Sequence, residues 1–221
     1  MDDTNRREFL KSVVRSGAKT IVALIAVGSG ISCAPAWISY KQRKRLEDMA
    51  GKTGYFAGFE GMQPVSRDKI KRIVEGIGRN LNMAAYGTSG NPSTHISIIE
   101  QAYENKKPIF IYGHSSGGND ARMLAVECRE REVPIPVKIL FLSDPTYLAR
   151  PFPGKIPDNV ERVKSYMSSD AGPVFGLAPK PENLENSRKT ILSPAMYFPV
   201  DHLALPDAIK GLMMAEILGS R

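Results

Sequence analysis

Pro108-Ile109-Phe110-Ile111-Tyr112 runs without a break into Gly113-His114-Ser115-Ser116-Gly117-Gly118. A short apolar run with turn residues behind it predicts a strand buried on both faces. Asn119–Glu132 follows as a helix, with Ala121, Leu124, Ala125 and Cys128 turned inward. Between strand and helix stands Gly-x-Ser-x-Gly, the pattern of a nucleophile elbow. The glycines have a steric purpose. Ser115 must sit on a tight, strained turn for its hydroxyl to project above the sheet, and a Cβ at Gly113 or Gly117 would collide with the neighbouring strand or helix. The helix N-terminus behind the serine favours developing negative charge. The alternative is a plain glycine-rich turn with no chemistry.

Working outward, short apolar runs alternate with helical patterns from Thr53 onward. That alternation predicts an α/β domain with a largely parallel sheet. Gly54–Gly58 reads as a strand ending in the loop Gly58-Phe59-Glu60-Gly61. Ser66–Leu81 reads as an amphipathic helix with Ile70, Ile73, Val74, Ile77 and Leu81 on one stripe. Asn82–Tyr86 reads as a strand and Ile96–Asn105 as a helix. After the elbow helix, Val137–Leu142 is another buried strand, ending at Ser143-Asp144-Pro145, and Val160–Tyr166 is a further one. Residues 171–194 hold four prolines and read as loop. Ala195–Pro199 is a last short strand, and Pro206–Leu218 a closing helix.

Over residues 53–221 the chain resembles the α/β-hydrolase superfamily of lipases, esterases and thioesterases, chiefly through the elbow Gly113–Gly117. The resemblance implies a three-layer fold with a mostly parallel central sheet and no cofactor or metal. The body is short, so little or no lid is expected; residues 171–194 are the candidate cover. It further implies the chain order nucleophile, acid, histidine. Of the three histidines, His95 precedes Ser115 and reads as a surface side chain in a polar loop, while His114 abuts Ser115 and reads as a packing neighbour. His202, between the last strand and the closing helix, is the candidate general base. Two acids compete. Asp144 is preferred because a buried strand presents it, and Asp170 is the alternative acid. Asp201 is too close to His202 to orient its ring. For the oxyanion hole the family pattern points to the N–H of Ser116, with Phe59 as the second donor. The implied activity is hydrolysis of a carboxylic ester or thioester, on a small or lipid-like acyl substrate. A non-catalytic binding relative and an acyltransferase with the same triad stay open.

Residues 1–40 read differently. Asn5-Arg6-Arg7-Glu8-Phe9-Leu10-Lys11 resembles a twin-arginine export motif, and no residue from Thr20 to Tyr40 is charged. Ala34-Pro35-Ala36 suits signal cleavage, the length of the run suits an uncleaved apolar anchor helix, and Cys33 leaves a lipoprotein reading. Each leads to the periplasm or the inner membrane. Residues 41–52 form a polar linker. The net charge is +7, but residues 1–50 hold nine of the bases against five acids. The excess therefore flanks the apolar run, which argues for a membrane contact and against a nucleic-acid-binding body. With two cysteines, Cys33 in the leader and Cys128 in a helix, no structural disulfide is expected. Oligomeric state is not legible.

Overall fold

The computed structural model describes Met49 and residues 51–61, 67–88, 91–146, 154–169 and 178–220. The leader at 1–40 and most of the linker lie outside the described residues, as does Asp170. The order of elements is β1 (Tyr55–Phe59), α1 (Arg67–Asn80), β2 (Ala84–Thr88), α2 (Ile96–Glu104), β3 (Ile109–His114), α3 (Gly117–Arg129), β4 (Ile139–Ser143), β5 (Arg162–Ser168), β6 (Ile191–Leu192), β7 (Met196–Phe198) and α4 (Leu205–Gly219). Every strand pairing among them is parallel. The sheet order is β2-β1-β3-β4-β5-β6, with β7 also pairing β5.

Two apolar cores lie on the two faces of this sheet, which makes three layers. On one face Ile70, Ile73, Val74 and Ile77 of α1 pack with Leu205, Ile209, Met213 and Ile217 of α4 against Phe56, Phe110 and Phe141. On the other, Ile96, Ile99 and Ala102 of α2 and Ala121, Leu124, Ala125 and Cys128 of α3 cover Ala57, Ile111, Leu140 and Leu142. Both helix stripes recur at three- and four-residue spacing. Because both faces are covered, β3 and β4 are buried along their whole lengths, which is why their sequences are continuous apolar runs.

The order also fixes where a ligand would sit. From β1 the chain crosses by α1 to β2 on one side, then returns by α2 on the opposite face to β3 on the other side. Right-handed crossovers in opposite directions put their helices on opposite faces. β1 and β3 therefore part at their carboxyl ends, and the crevice at such a switch point is the usual site in open α/β sheets. Ser115 stands at that end of β3.

The sheet also corrects the reading of residues 171–194. Within them β6 pairs with Arg162 and Val163 at the start of β5, Ile156 bridges Leu184, and Glu185 pairs with Arg129 at the end of α3. The described part, 178–194, thus braces the opposite end of the sheet from Ser115 and does not cover the elbow; 171–177 lie outside the described residues. Proline density made this segment look like loop, but β6 pairs one residue at a time with β5 and needs no long run.

Candidate active site

At Ser115 the chain turns from β3 into α3 with φ of +56°, a conformation that costs a residue with a Cβ about 1 kcal/mol or more. Backbone hydrogen bonds hold it there. The Ser115 N–H donates to the Ser143 carbonyl at 3.0 Å, and its own carbonyl accepts from Gly118 at 3.0 Å. The flanking glycines are sterically required. A Cβ on Gly113 would lie 2.5 Å from the Gly117 carbonyl oxygen and 2.6 Å from the Gly118 Cα; one on Gly117 would lie 2.4 Å from the Phe59 carbonyl oxygen. All are backbone atoms that cannot swing aside. Gly113→Ala is accordingly expected to destabilise the fold by about 3 kcal/mol, read as a lowered midpoint in urea unfolding.

β4 presents the candidate acid. Asp144 directly follows it at φ of +41°, and its N–H donates to the Tyr166 carbonyl at 2.9 Å. Its side chain is fully buried. Oδ1 accepts from the Ser168 N–H at 2.8 Å, while Oδ2 accepts from the Ser168 hydroxyl at 2.6 Å and from His202 Nδ1 at 3.0 Å. Burial pushes this carboxyl up, but the hydrogen bonds from His202 and Ser168 outweigh it and hold it below the usual carboxylate range. An ionised carboxylate can only accept, so the proton on His202 sits at Nδ1 and Nε2 is left as acceptor.

His202 lies in the loop between β7 and α4, with its side chain 19% exposed. The loop is pinned from α1: Lys69 Nζ donates to the Leu203 carbonyl at 2.5 Å and pairs with Asp207 at 2.8 Å. Asp201 accepts the Ala204 N–H at 2.7 Å, so it closes the turn and is engaged away from the imidazole. On the inner side the His114 ring stacks on His202, with centroids 4.5 Å apart and planes at 27°. His114 immediately precedes Ser115, so the stack places the candidate base beside the strand end that leads into the elbow.

His114 is itself buried, and its Nδ1 lies 3.0 Å from the Ser143 hydroxyl. Burial, reinforced by the neighbouring His202, pushes it down to about 3 from 6.5. Below pH 6.5 the unfolded chain therefore takes up a proton here that the folded chain refuses until about pH 3. This stability is complete above 6.5 and is lost as pH falls. At about 1.4 kcal/mol per pH unit, wild type should lose roughly 3 kcal/mol more than His114→Phe between pH 7 and 4.5. Urea unfolding across that range checks it. Asp144 acts in the same direction only nearer and below its ordinary value of 3.8.

The two expected oxyanion donors fall differently. Ser116 caps α3, and no carbonyl among the described residues accepts its N–H. Phe59 ends β1 inside the ladder with Gly113, its side chain fully buried. Strand N–H groups alternate in direction. Tyr55 donates toward β3 and Glu60 toward β2, so the Phe59 N–H faces β3 within the sheet. Gly61 is so close to the elbow that a Cβ there would lie 3.0 Å from Ser115 Oγ. Gly61 is thus a candidate donor that sequence reasoning did not name; the signal available was only the glycine itself in Gly58-Phe59-Glu60-Gly61.

His95 is not a surface side chain. It is fully buried, its Nδ1 lies 2.7 Å from the Tyr55 hydroxyl, and Phe59 and Tyr86 flank its ring. Cys128 is buried too, and burial pushes its thiol up to about 12. Among the described residues no group of three or more His, Cys, Asp or Glu could hold a metal ion, and no helix is long and apolar enough to cross a membrane. A cleft of about 720 Å³ lined by Thr53, Lys106, Pro108 and Lys138 opens where the strands begin, at the far end from Ser115.

No protein-family model matches the chain, and no curated protein sequence matches it. Solved structures do. Human thioesterase 2 is 16% identical, with a TM-score of 0.51 over 76% of this chain and 95% of that one. A hormone-sensitive lipase from a metagenome library is 10% identical, with a TM-score of 0.51 over 76% of this chain and 75% of that one. The metagenome-derived lipolytic enzymes LipS and LipT are matched at 13% identity and a TM-score of 0.50, over 76% of this chain and 93% of that one. Likeness at such low identity speaks to architecture, and together with the parallel three-layer sheet and the elbow at Ser115 it establishes that this chain has the α/β-hydrolase fold.

Proposed function

We propose that the chain is a serine hydrolase that cleaves a carboxylic ester or thioester by acyl transfer. The observation that carries this reading is the His202–Asp144 pair at 3.0 Å, its carboxylate buried and its imidazole half-buried, with the ring stacked against the residue that precedes a strained serine. In the proposed reaction His202 Nε2 takes the proton of Ser115 as its Oγ bonds to the substrate carbonyl carbon. The carbonyl oxygen becomes an oxyanion facing the N–H groups of Ser116 and Gly61, the latter in place of Phe59. His202 then gives its proton to the leaving alcohol or thiol as that bond breaks. Water repeats the sequence on the acyl-serine, freeing the acid. Asp144 holds the ring and balances the imidazolium charge throughout.

A panel of p-nitrophenyl esters and acyl-thioesters tests the reading. Turnover by wild type, lost in Ser115→Ala, supports it; equal rates in both chains exclude it. Turnover only in the presence of an alcohol acceptor would make the protein an acyltransferase with the same site. No turnover and no covalent labelling would leave a binding protein on a hydrolase fold. Residues 1–40 are proposed to bring this domain to or across a membrane, where an acyl chain in a lipid-like substrate would be met. Fractionation of cells expressing the chain with and without Arg6→Lys and Arg7→Lys tests that export; unchanged partition into the soluble cytosol for both would exclude it.

A further inference from the structure

In the acyl-transfer reading Asp144 must hold one edge of an imidazole in place, yet its own strand does little to hold Asp144. It stands just past the end of β4 at φ of +41°, a conformation that costs a residue with a Cβ about 1 kcal/mol or more. Its carboxylate turns about two side-chain bonds, and the second of these has only a broad preference.

The restraint comes from the neighbouring strand. β4 and β5 pair in register from Leu140 opposite Val163 to Ser143 opposite Tyr166. Just past that last pair the Asp144 N–H donates to the Tyr166 carbonyl at 2.9 Å. Two residues on, at the end of β5, Ser168 grips the carboxylate twice. Its N–H donates to Oδ1 at 2.8 Å and its hydroxyl donates to Oδ2 at 2.6 Å. β5 thus fixes the backbone of Asp144 and both of its carboxylate oxygens. The N–H bond by itself would pin Oδ1 and let Oδ2 swing about it. The hydroxyl stops that swing at the oxygen that also accepts from His202 Nδ1. Ser168 and Asp144 are both buried, and a bond from a hydroxyl to a carboxylate in such a place is short and strong. The hydroxyl also opposes burial, which would push the carboxyl toward its neutral form.

We propose that Ser168 is a positioning residue for the triad carboxylate: its hydroxyl fixes the Asp144 oxygen that holds His202, so that β4 supplies the acid and β5 aims it. The inference rests on the acyl-transfer reading. It differs from a purely structural role, in which the hydroxyl would only satisfy a buried charge and its loss would weaken the fold without acting through Asp144.

The test uses the full chain, with kcat and KM on an activated ester and the rate of fluorophosphonate labelling measured in parallel. Ser168→Ala keeps the N–H bond to Oδ1 and removes the hydroxyl. It is expected to lower kcat and labelling about tenfold, with KM within about twofold of wild type. Threonine keeps the hydroxyl, and valine has the same branched shape without it. Ser168→Thr should therefore stay within about threefold of wild type while Ser168→Val falls with alanine. A residue that acts through Asp144 has nothing to aim once the carboxylate is gone, so Ser168→Ala in the Asp144→Asn background should cost less than about twofold more. If threonine or valine does not fold, as urea unfolding would show, the alanine cycle decides on its own. Equal rates for alanine and wild type, equal losses in threonine and valine, or an alanine loss that recurs in full beside Asp144→Asn would overturn the positioning role while leaving acyl transfer standing. A wild-type chain that neither labels nor turns over would overturn both.

Discussion

Ser115→Ala is expected to abolish fluorophosphonate labelling and to lower kcat on an activated ester or thioester at least about a thousandfold, with the fold intact. The size follows from the site. In the proposed reaction the hydroxyl oxygen is the one atom that bonds to the acyl group, and what survives its removal is only what the oxyanion donors contribute to attack by water. Stability should move the other way. Ser115 is held at φ of +56°, so Ser115→Gly should be more stable than wild type by about 1 kcal/mol while remaining inactive. Thermal or urea unfolding beside activity reads both halves. A more stable, inactive glycine variant would show that the strain at the elbow is kept for chemistry. A glycine variant less stable than wild type would remove that explanation of the turn.

The second large effect is Asp144→Asn. In the native site Oδ1 accepts from the Ser168 N–H, and Oδ2 accepts from the Ser168 hydroxyl and from His202. An asparagine can keep its carbonyl toward the Ser168 N–H, but it then offers an N–H where His202 Nδ1 used to donate. The imidazole must turn acceptor at Nδ1 and carry its proton on Nε2, the wrong tautomer for taking a proton from Ser115. A loss in kcat of about ten-thousandfold is expected, with KM little changed. Asp170→Asn is the control, since Asp170 is the competing acid; it should stay within about twofold. The reverse pattern, a silent Asp144→Asn and a dead Asp170→Asn, would reassign the acid.

Much of this was legible in the residues because the informative signals are local. A strand, Gly-x-Ser-x-Gly and a helix follow one another without a gap, so Ser115 could be placed from its neighbours alone. Asp144 was legible for the same reason, as a polar residue at the end of a wholly apolar strand. Its positive φ and its bonds to Ser168 were not, since Ser168 arrives from β5 by parallel pairing. Strand ends also slipped. β2 runs to Thr88, past the expected Tyr86, because Gly87 and Thr88 pair with Gly58 and Phe59 of β1. The polar neighbours of His95 suggested solvent, yet a tyrosine hydroxyl from β1 meets its Nδ1 in the interior. Gly61 was not singled out beside Phe59 because its closeness to Ser115 comes from the folded loop, which composition does not reveal. The stack of His114 on His202 joins residues 88 positions apart and depends on the whole sheet.

In the proposed mechanism the hydroxyl at the bend after β3 is the nucleophile, activated by an imidazole delivered from the loop before α4. Peptide mapping by mass spectrometry of the full chain after treatment with a fluorophosphonate tests it most directly. A single phosphonyl adduct on Ser115, formed far more slowly in Asp144→Asn, is the predicted result. An adduct on another residue with Ser115 unmodified, or no adduct on a folded chain, would contradict the account.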